Sequence, residues 1–293
     1  MKTIELVKLT QIMAMTLGSP EVTVGLIDGP VASDHPALTH TNIRSIHRSN
    51  GECIRLKSTA CMHGTFVAGI LAAKRDYLAP AICPGCTFLV RPIFAEMREP
   101  NEGLPTATPD ELAVAIRESI AAGAHILNLS VALARLSNGG SRELEETLNY
   151  ASKKNVLVIA AAGNQGEIGS STITRHAAVI PVIAYDLQGR LVSQSNLGIS
   201  IGRRGLGAPG DEVTSLNASG GTLTLAGTSV ATAFVTGAAA LLWSLFPKAS
   251  ATQVRLALLQ ASASRRTTVI PPLLNAWRAY ELISQLVLSE RTK

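Results

Sequence analysis

Apolar runs of strand length recur along the chain, and segments of helical period separate most of them. The runs are EVTVGLIDG (21–29), TFLVRPIF (87–94), HILNLSVAL (125–133), VLVIAAAGN (156–164) and AAVIPVIAYD (177–186). They are nearly continuous in hydrophobicity rather than alternating, the pattern of strands covered on both faces. HGTFVAGILAAK (63–74), PDELAVAIRESIAAG (109–123), SRELEETLNYASKKN (141–155), the stretch opening at Ser229, residues 251–262 and LLNAWRAYELISQLV (273–287) read as helices. This alternation predicts a three-layer α/β/α fold on a mostly parallel central sheet.

The chain has 293 residues, 46% of them hydrophobic and only 4% aromatic, so a large core of Ala, Val, Leu and Gly in close contact is expected. Its net charge of +5 comes from scattered Lys and Arg. Arg203-Arg204 and Arg265-Arg266 are pairs and not basic tracts, so nucleic acid is not expected as a partner. The N-terminus lacks a secretory pattern, and no run approaches the roughly 20 apolar residues of a membrane span. A cytoplasmic location and no membrane partner are the corresponding expectations. No repeat or linker divides residues 1–293, which read as one domain with residues 1–20 as a lead-in helix.

All four cysteines, Cys53, Cys61, Cys83 and Cys86, fall within residues 53–86. The spacing leaves free thiols, disulfides and a thiolate metal site open. CPGC at 83–86 has no thioredoxin-like surroundings that would support a redox role.

In open parallel sheets, chemistry gathers at the carboxyl ends of strands. That rule selects Asp28, Ser130 and Asn164. Asp28 ends a buried strand, where a carboxylate needs a partner. His63 opens an apolar helix and is followed by Gly64, which permits another chain to approach closely. Ser229, in GTSVATAF, opens a second apolar helix, where the positive end of the dipole favours developing negative charge. Taken singly, each has a plainer reading: a helix cap for Ser229, a turn for Asp28-Gly29, a core or capping residue for His63, turn chemistry for Asn164. The other histidines, His35, His40, His47, His125 and His176, are assigned such plain roles. A nucleophile, a base, a carboxylate orienting the base and an oxyanion donor are nevertheless all present.

LIDGPVASDHPAL, HGTFVAGILAA, AAAGNQG and GTSVATAFVTGAAALL, in that order, resemble the four signature blocks of the subtilisin-like serine proteases. The Asp–His–Ser order is that family's known order. The resemblance implies a triad of Asp28, His63 and Ser229, with the Asn164 side chain and the Ser229 backbone N–H as oxyanion hole. It also implies substrate binding by Ser130, Val131 and Ala132 along one wall and by Ala161, Ala162 and Gly163 along the other. The implied partner is a peptide or protein substrate, and no cofactor or metal is expected.

Several positions depart from the family pattern. Val230 replaces Met, Ala233 replaces Pro, Phe66 stands where relatives often carry a second His, and Ala132 where a Gly usually lines the pocket. Ala37 replaces a calcium-binding Asp, so the familiar calcium site is expected to be absent. Neither a signal peptide nor a prodomain is recognised. LTQIMAMTLGSPEVTVGLIDGPV and GTSVATAFVTG bring the chain near one branch, the cyanobactin-maturation proteases of the PatA/PatG type. That likeness implies cleavage of a leader or follower from a ribosomally made precursor peptide. The short span from Asp28 to His63 leaves little room for the helical insertion of macrocyclising members, so hydrolysis is expected over transamidation. The alternatives are a general intracellular subtilisin and a catalytically silent peptide binder. Glu96, Glu99 and Glu102, in the Pro- and Glu-rich segment 95–110, are read as a solvated loop rather than a selector of basic substrates.

Overall fold

The computed structural model describes residues 2–46, 53–94, 96, 107–131, 141–262 and 268–291. In chain order the elements begin with helices α1 (Lys2–Leu6) and α2 (Thr10–Met15), then strands β1 (Thr23–Asp28) and β2 (Asn42–Ser45) and helix α3 (Thr59–Ala72). β3 (Thr87–Pro92), α4 (Pro109–Ala121), β4 (Ile126–Leu129), α5 (Arg142–Lys153), β5 (Leu157–Ala161), α6 (Thr172–Arg175) and β6 (Val179–Tyr185) follow. The remainder comprises α7 (Ile199–Arg204), β7 (Leu206–Pro209), β8 (Val213–Leu216), β9 (Thr222–Leu225), α8 (Thr228–Leu245), α9 (Ala251–Gln260) and α10 (Ala276–Arg291).

Seven strands form one sheet in the order β2-β3-β1-β4-β5-β6-β7. Every pairing in it is parallel, and β8–β9 is a separate antiparallel hairpin. The predicted three-layer arrangement is present. On one face, Leu112, Ile116, Leu144 and Leu148 of α4 and α5 cover the sheet. On the other, α3, α8, α9 and α10 contribute Phe66, Ile70, Phe234, Leu241, Val254 and Ile283. Each such Leu or Ile stabilises the fold by about 1.5–3 kcal/mol on burial. Small residues set the spacing: a Cβ added at Gly237 of α8 would lie 2.6 Å from Ile82 Cγ2. Among the described residues α8 is long and apolar enough to cross a membrane, but 89% of it is buried inside the protein, as for a core helix.

Three expectations need correction. The lead-in is two short helices, because Lys8 takes a left-handed φ of 57° between them. His63 does not open its helix: α3 starts a turn earlier, where the Ser58 side chain accepts from Cys61 N as an N-cap. The last helix begins at Ala276 rather than at 273, because Leu273 bridges to Gly207 beside β7 and Asn275 Oδ1 accepts from Arg278 N.

The order of the strands explains where a site forms. From β1 the chain turns to β2 and β3 on one side, then returns to β4 on the other. The carboxyl ends of β1 and β4 therefore flank the switch point, where open parallel sheets leave a crevice.

Candidate active site

Asp28 is the last residue of β1 and is 1% exposed. Its Oδ1 accepts from Gly29 N at 2.6 Å and from His63 Nδ1 at 2.7 Å. The other His63 ring nitrogen, Nε2, lies 2.9 Å from Ser229 Oγ. The three side chains form a continuous hydrogen-bonded relay from a buried carboxylate, through a partly exposed imidazole (27%), to a hydroxyl. Burial pushes the His63 pKa down, but the charge of Asp28 and its hydrogen bond outweigh that and hold it above the ordinary 6.5.

Local sequence explains the alignment. α3 meets the turn after β1 through glycines: a Cβ on Gly64 would lie 2.4 Å from Pro30 O, and one on Gly29 would lie 1.9 Å from Ala60 O. The close approach anticipated at Gly64 is what brings His63 to Asp28. Thr65 Oγ1, two residues beyond His63, accepts from Ala32 N and fastens the same contact.

Ser229 is the second residue of α8 and 8% exposed. The helix is capped not by a side chain of its own but by a residue from β5's trailing turn: Asn164 Oδ1 accepts from Thr228 N at 2.8 Å. That bond fixes the amide, so its Nδ2 is the end left to donate. Gly227, before the helix, has φ +139°, a conformation open to glycine and strained for other residues. Thr228 Oγ1 accepts from Gly163 N, joining the turn to α8 a second time. Ser229 thus carries no capping duty, and the plain reading of its hydroxyl as a cap does not hold.

Of the expected substrate walls, Ser130 and Val131 follow β4, Ala161 is the last residue of β5, and Ala162 and Gly163 come directly after it. Both segments lie at the carboxyl edge of the sheet beside the relay. Ser130 Oγ accepts from Asn128 Nδ2, and Asn128 Oδ1 accepts from Thr236 of α8. Ala132 lies outside the described residues.

Sequence reasoning did not single out Asn196 as a support. Its N donates to Gly163 O, and its Oδ1 accepts from Gln165 N and Glu167 N, so it holds the 163–167 turn from behind. Nothing in its sequence surroundings marks it. Thr228, in the Gly-Thr-Ser block, meets this turn through both its N–H and its Oγ1.

The cysteine alternatives separate. Cys53 and Cys61 form a disulfide with Cα atoms 5.6 Å apart, while Cys83 and Cys86 are free and buried. The bridge ties the segment before α3 to the helix two residues ahead of His63. Glu96 adds to it, accepting from Ile54 N, Arg55 N and Ser58 Oγ. Glu96 is thus a tether and not a solvated loop residue, and Glu99 and Glu102 lie outside the described residues. Cys53, Cys61 and Glu96 place their donor atoms within 4.8 Å of one another, but the disulfide consumes both sulfurs as ligands. His35, His125 and His176 have plain roles: their Nδ1 atoms accept from Ala37 N, Thr23 N and Ala178 N. His40 pairs with Thr41, and His47 lies outside the described residues.

The subtilase family model matches residues 19–275, most of the chain. The chain belongs to the subtilase family. It is a subtilisin-family serine endopeptidase. Subtilisin DY of Bacillus licheniformis is 30% identical over 257 residues, covering 86% of this chain and 87% of that protein. A thermostable alkaline protease of Halalkalibacterium halodurans is 31% identical over 79% of this chain, which spans only 59% of that relative's length. Among solved structures, a protease domain of PatA matches with a TM-score of 0.83 and 31% identity, covering 92% of this chain and 97% of that one. The prenylagaramide maturation protease PagA matches with a TM-score of 0.82 and 30% identity, covering 94% and 98%. A PatG macrocyclase domain, 19% identical with a TM-score of 0.82, shares the fold.

Proposed function

We propose that this subtilase cuts a leader or follower from a ribosomally made precursor peptide, using Ser229, His63 and Asp28 through an acyl-enzyme. The observation that carries the catalytic assignment is His63 held between Asp28 Oδ1 at 2.7 Å and Ser229 Oγ at 2.9 Å. Ser229 Oγ attacks the scissile carbonyl as His63 Nε2 takes its proton. Asp28 fixes the tautomer through Nδ1 and stabilises the imidazolium, which then protonates the leaving amine. Asn164 Nδ2 and Ser229 N–H receive the oxyanion, and water attacking the acyl carbonyl returns Ser229. Ser130 and Val131 on one side and Ala161, Ala162 and Gly163 on the other flank the substrate backbone. Support for a precursor peptide comes from the likeness to PatA and to the maturation protease PagA.

The relatedness to Subtilisin DY favours a second reading, a general protease of unfolded protein. Intact-mass labelling with a fluorophosphonate tests the catalytic assignment: one adduct on the wild type and none on Ser229→Ala is expected. An unlabelled, folded wild type would overturn it. Comparing precursor peptides with reduced casein then tests the substrate. One cut in the precursors and little in casein is expected, whereas cleavage of casein at many positions would favour the general protease.

A further inference from the structure

An open groove of about 540 Å³ lies beside α7, lined among others by Ile168, Gly169, Gly198, Ile199, Arg203 and Arg204. Its floor is bare backbone: Gly198 approaches Gly169 so closely that a Cβ there would sit 2.1 Å from Gly169 O. Its apolar rim is unusually open to water, with Ile168 77% and Ile199 66% exposed. Neither Arg203 nor Arg204 has a carboxylate partner among the described residues. Arg204 spends one N–H on Arg175 O, but its Nε is buried without an acceptor, as is Ser200 Oγ at the same groove. Arg255 stands close enough that burial, then the charge of Arg204, lowers its pKa, so cations here face cations. Buried donors without acceptors are costly, and a concentration of unpaired positive charge attracts anions.

The groove is tied to the candidate active site through the backbone. Leu197 N donates to Glu167 O and Gly169 N to Leu197 O, so the wall at 197–199 extends the turn that Asn196 fastens behind Asn164. We propose that this groove is an exosite for a segment of the peptide substrate in which carboxylates alternate with aliphatic side chains. The aliphatic groups would cover Ile168 and Ile199, and the carboxylates would meet Arg203 and Arg204. The proposal rests on the peptidase reading for its ligand, while its test includes a readout independent of cleavage.

Two fluorescein-labelled peptides carry Glu-Leu-Glu-Ile before or after a cleavable segment, and two controls carry Gln-Leu-Gln-Ile. Binding is measured by anisotropy on Ser229→Ala protein, and cleavage on protein with Ser229 intact. The acidic peptides should bind more tightly in one orientation, with an advantage that fades as salt is raised. Arg203→Glu, at an exposed position, should weaken that binding and raise KM by about fivefold, leaving kcat and the control peptides unchanged. Arg203→Lys should restore most of the effect, and Ile199→Ser should weaken binding without changing the salt dependence. Equal affinity for acidic and control peptides, or no response to Arg203→Glu, would overturn the exosite even if cleavage is normal. Charge-dependent binding without cleavage by the wild type would support the groove and count against the peptidase reading alone.

Discussion

Replacing Gly64 with alanine tests whether backbone contact between α3 and the turn after Asp28 sets the catalytic geometry. On an exposed helix this change would stabilise by about 1 kcal/mol. Here the added methyl would lie 2.4 Å from Pro30 O and 2.5 Å from Gly29 O, both backbone atoms that cannot swing aside. Relief to an ordinary contact at 3.4 Å requires α3 to retreat by roughly 1 Å. His63 travels with the helix, so its 2.7 Å bond to Asp28 or its 2.9 Å bond to Ser229 is lost. Overpacking of this kind costs about 1–3 kcal/mol, which outweighs the gain in helix propensity. A misplacement of about 1 Å costs on the order of 100-fold in turnover. The expected variant is folded by circular dichroism, modestly less stable, and labelled by fluorophosphonate about 100-fold more slowly than wild type. Its His63 pKa should fall toward or below the ordinary value, because burial remains while the contact with Asp28 weakens. Labelling at the wild-type rate with an unshifted His63 titration would refute the argument that this glycine contact positions the base.

Asn164→Ala should lower kcat by about 100- to 1,000-fold with little change in KM, the range known for the equivalent donor in subtilisin itself. Loss of the bond to Thr228 N should also lower thermal stability, which calorimetry would register. Activity should rise with pH through an apparent pKa above 6.5, since His63 must be neutral to act as base. The same shift implies a stabilising contribution fully present below about 6.5 and lost as pH rises through the higher folded-state value. Asp28→Asn should move the His63 NMR titration down, because burial would then act alone. Reducing the Cys53–Cys61 bridge, or replacing both residues with serine, should cost about 2–3 kcal/mol, roughly 5 °C in melting temperature. An unchanged melting temperature after confirmed reduction would show that Glu96 and the Ser58 cap suffice to hold the segment.

The sequence determined the layers because the strands that matter are buried on both faces and announce themselves as apolar runs. β1, β3, β4, β5 and β6 lie within the expected spans, and Asp28, Ser130 and Asn164 fall at their carboxyl ends. Other strands were illegible: β2 is exposed at the sheet's edge, the β8–β9 hairpin has residues that alternate toward water, and β7 is buried but its LGAP sequence is broken by Gly and Pro. Sequence blocks also named the members of the relay, because Gly-Thr-Ser, His-Gly and Asp-Gly each record a local backbone requirement. Tertiary structure alone decided what joins them. The cap of α8 comes from Asn164, 64 residues away in the chain. Asn196 supports the 163–167 turn across a gap that no local pattern records. The choice of Cys61 as partner for Cys53, the tether through Glu96 and the placing of Arg203 and Arg204 at one groove all depend on which surfaces the parallel crossovers bring together. Periodicity reports which face of an element meets the core, whereas these contacts involve loops and the ends of helices, where chain geometry and not hydrophobic pattern chooses the neighbour.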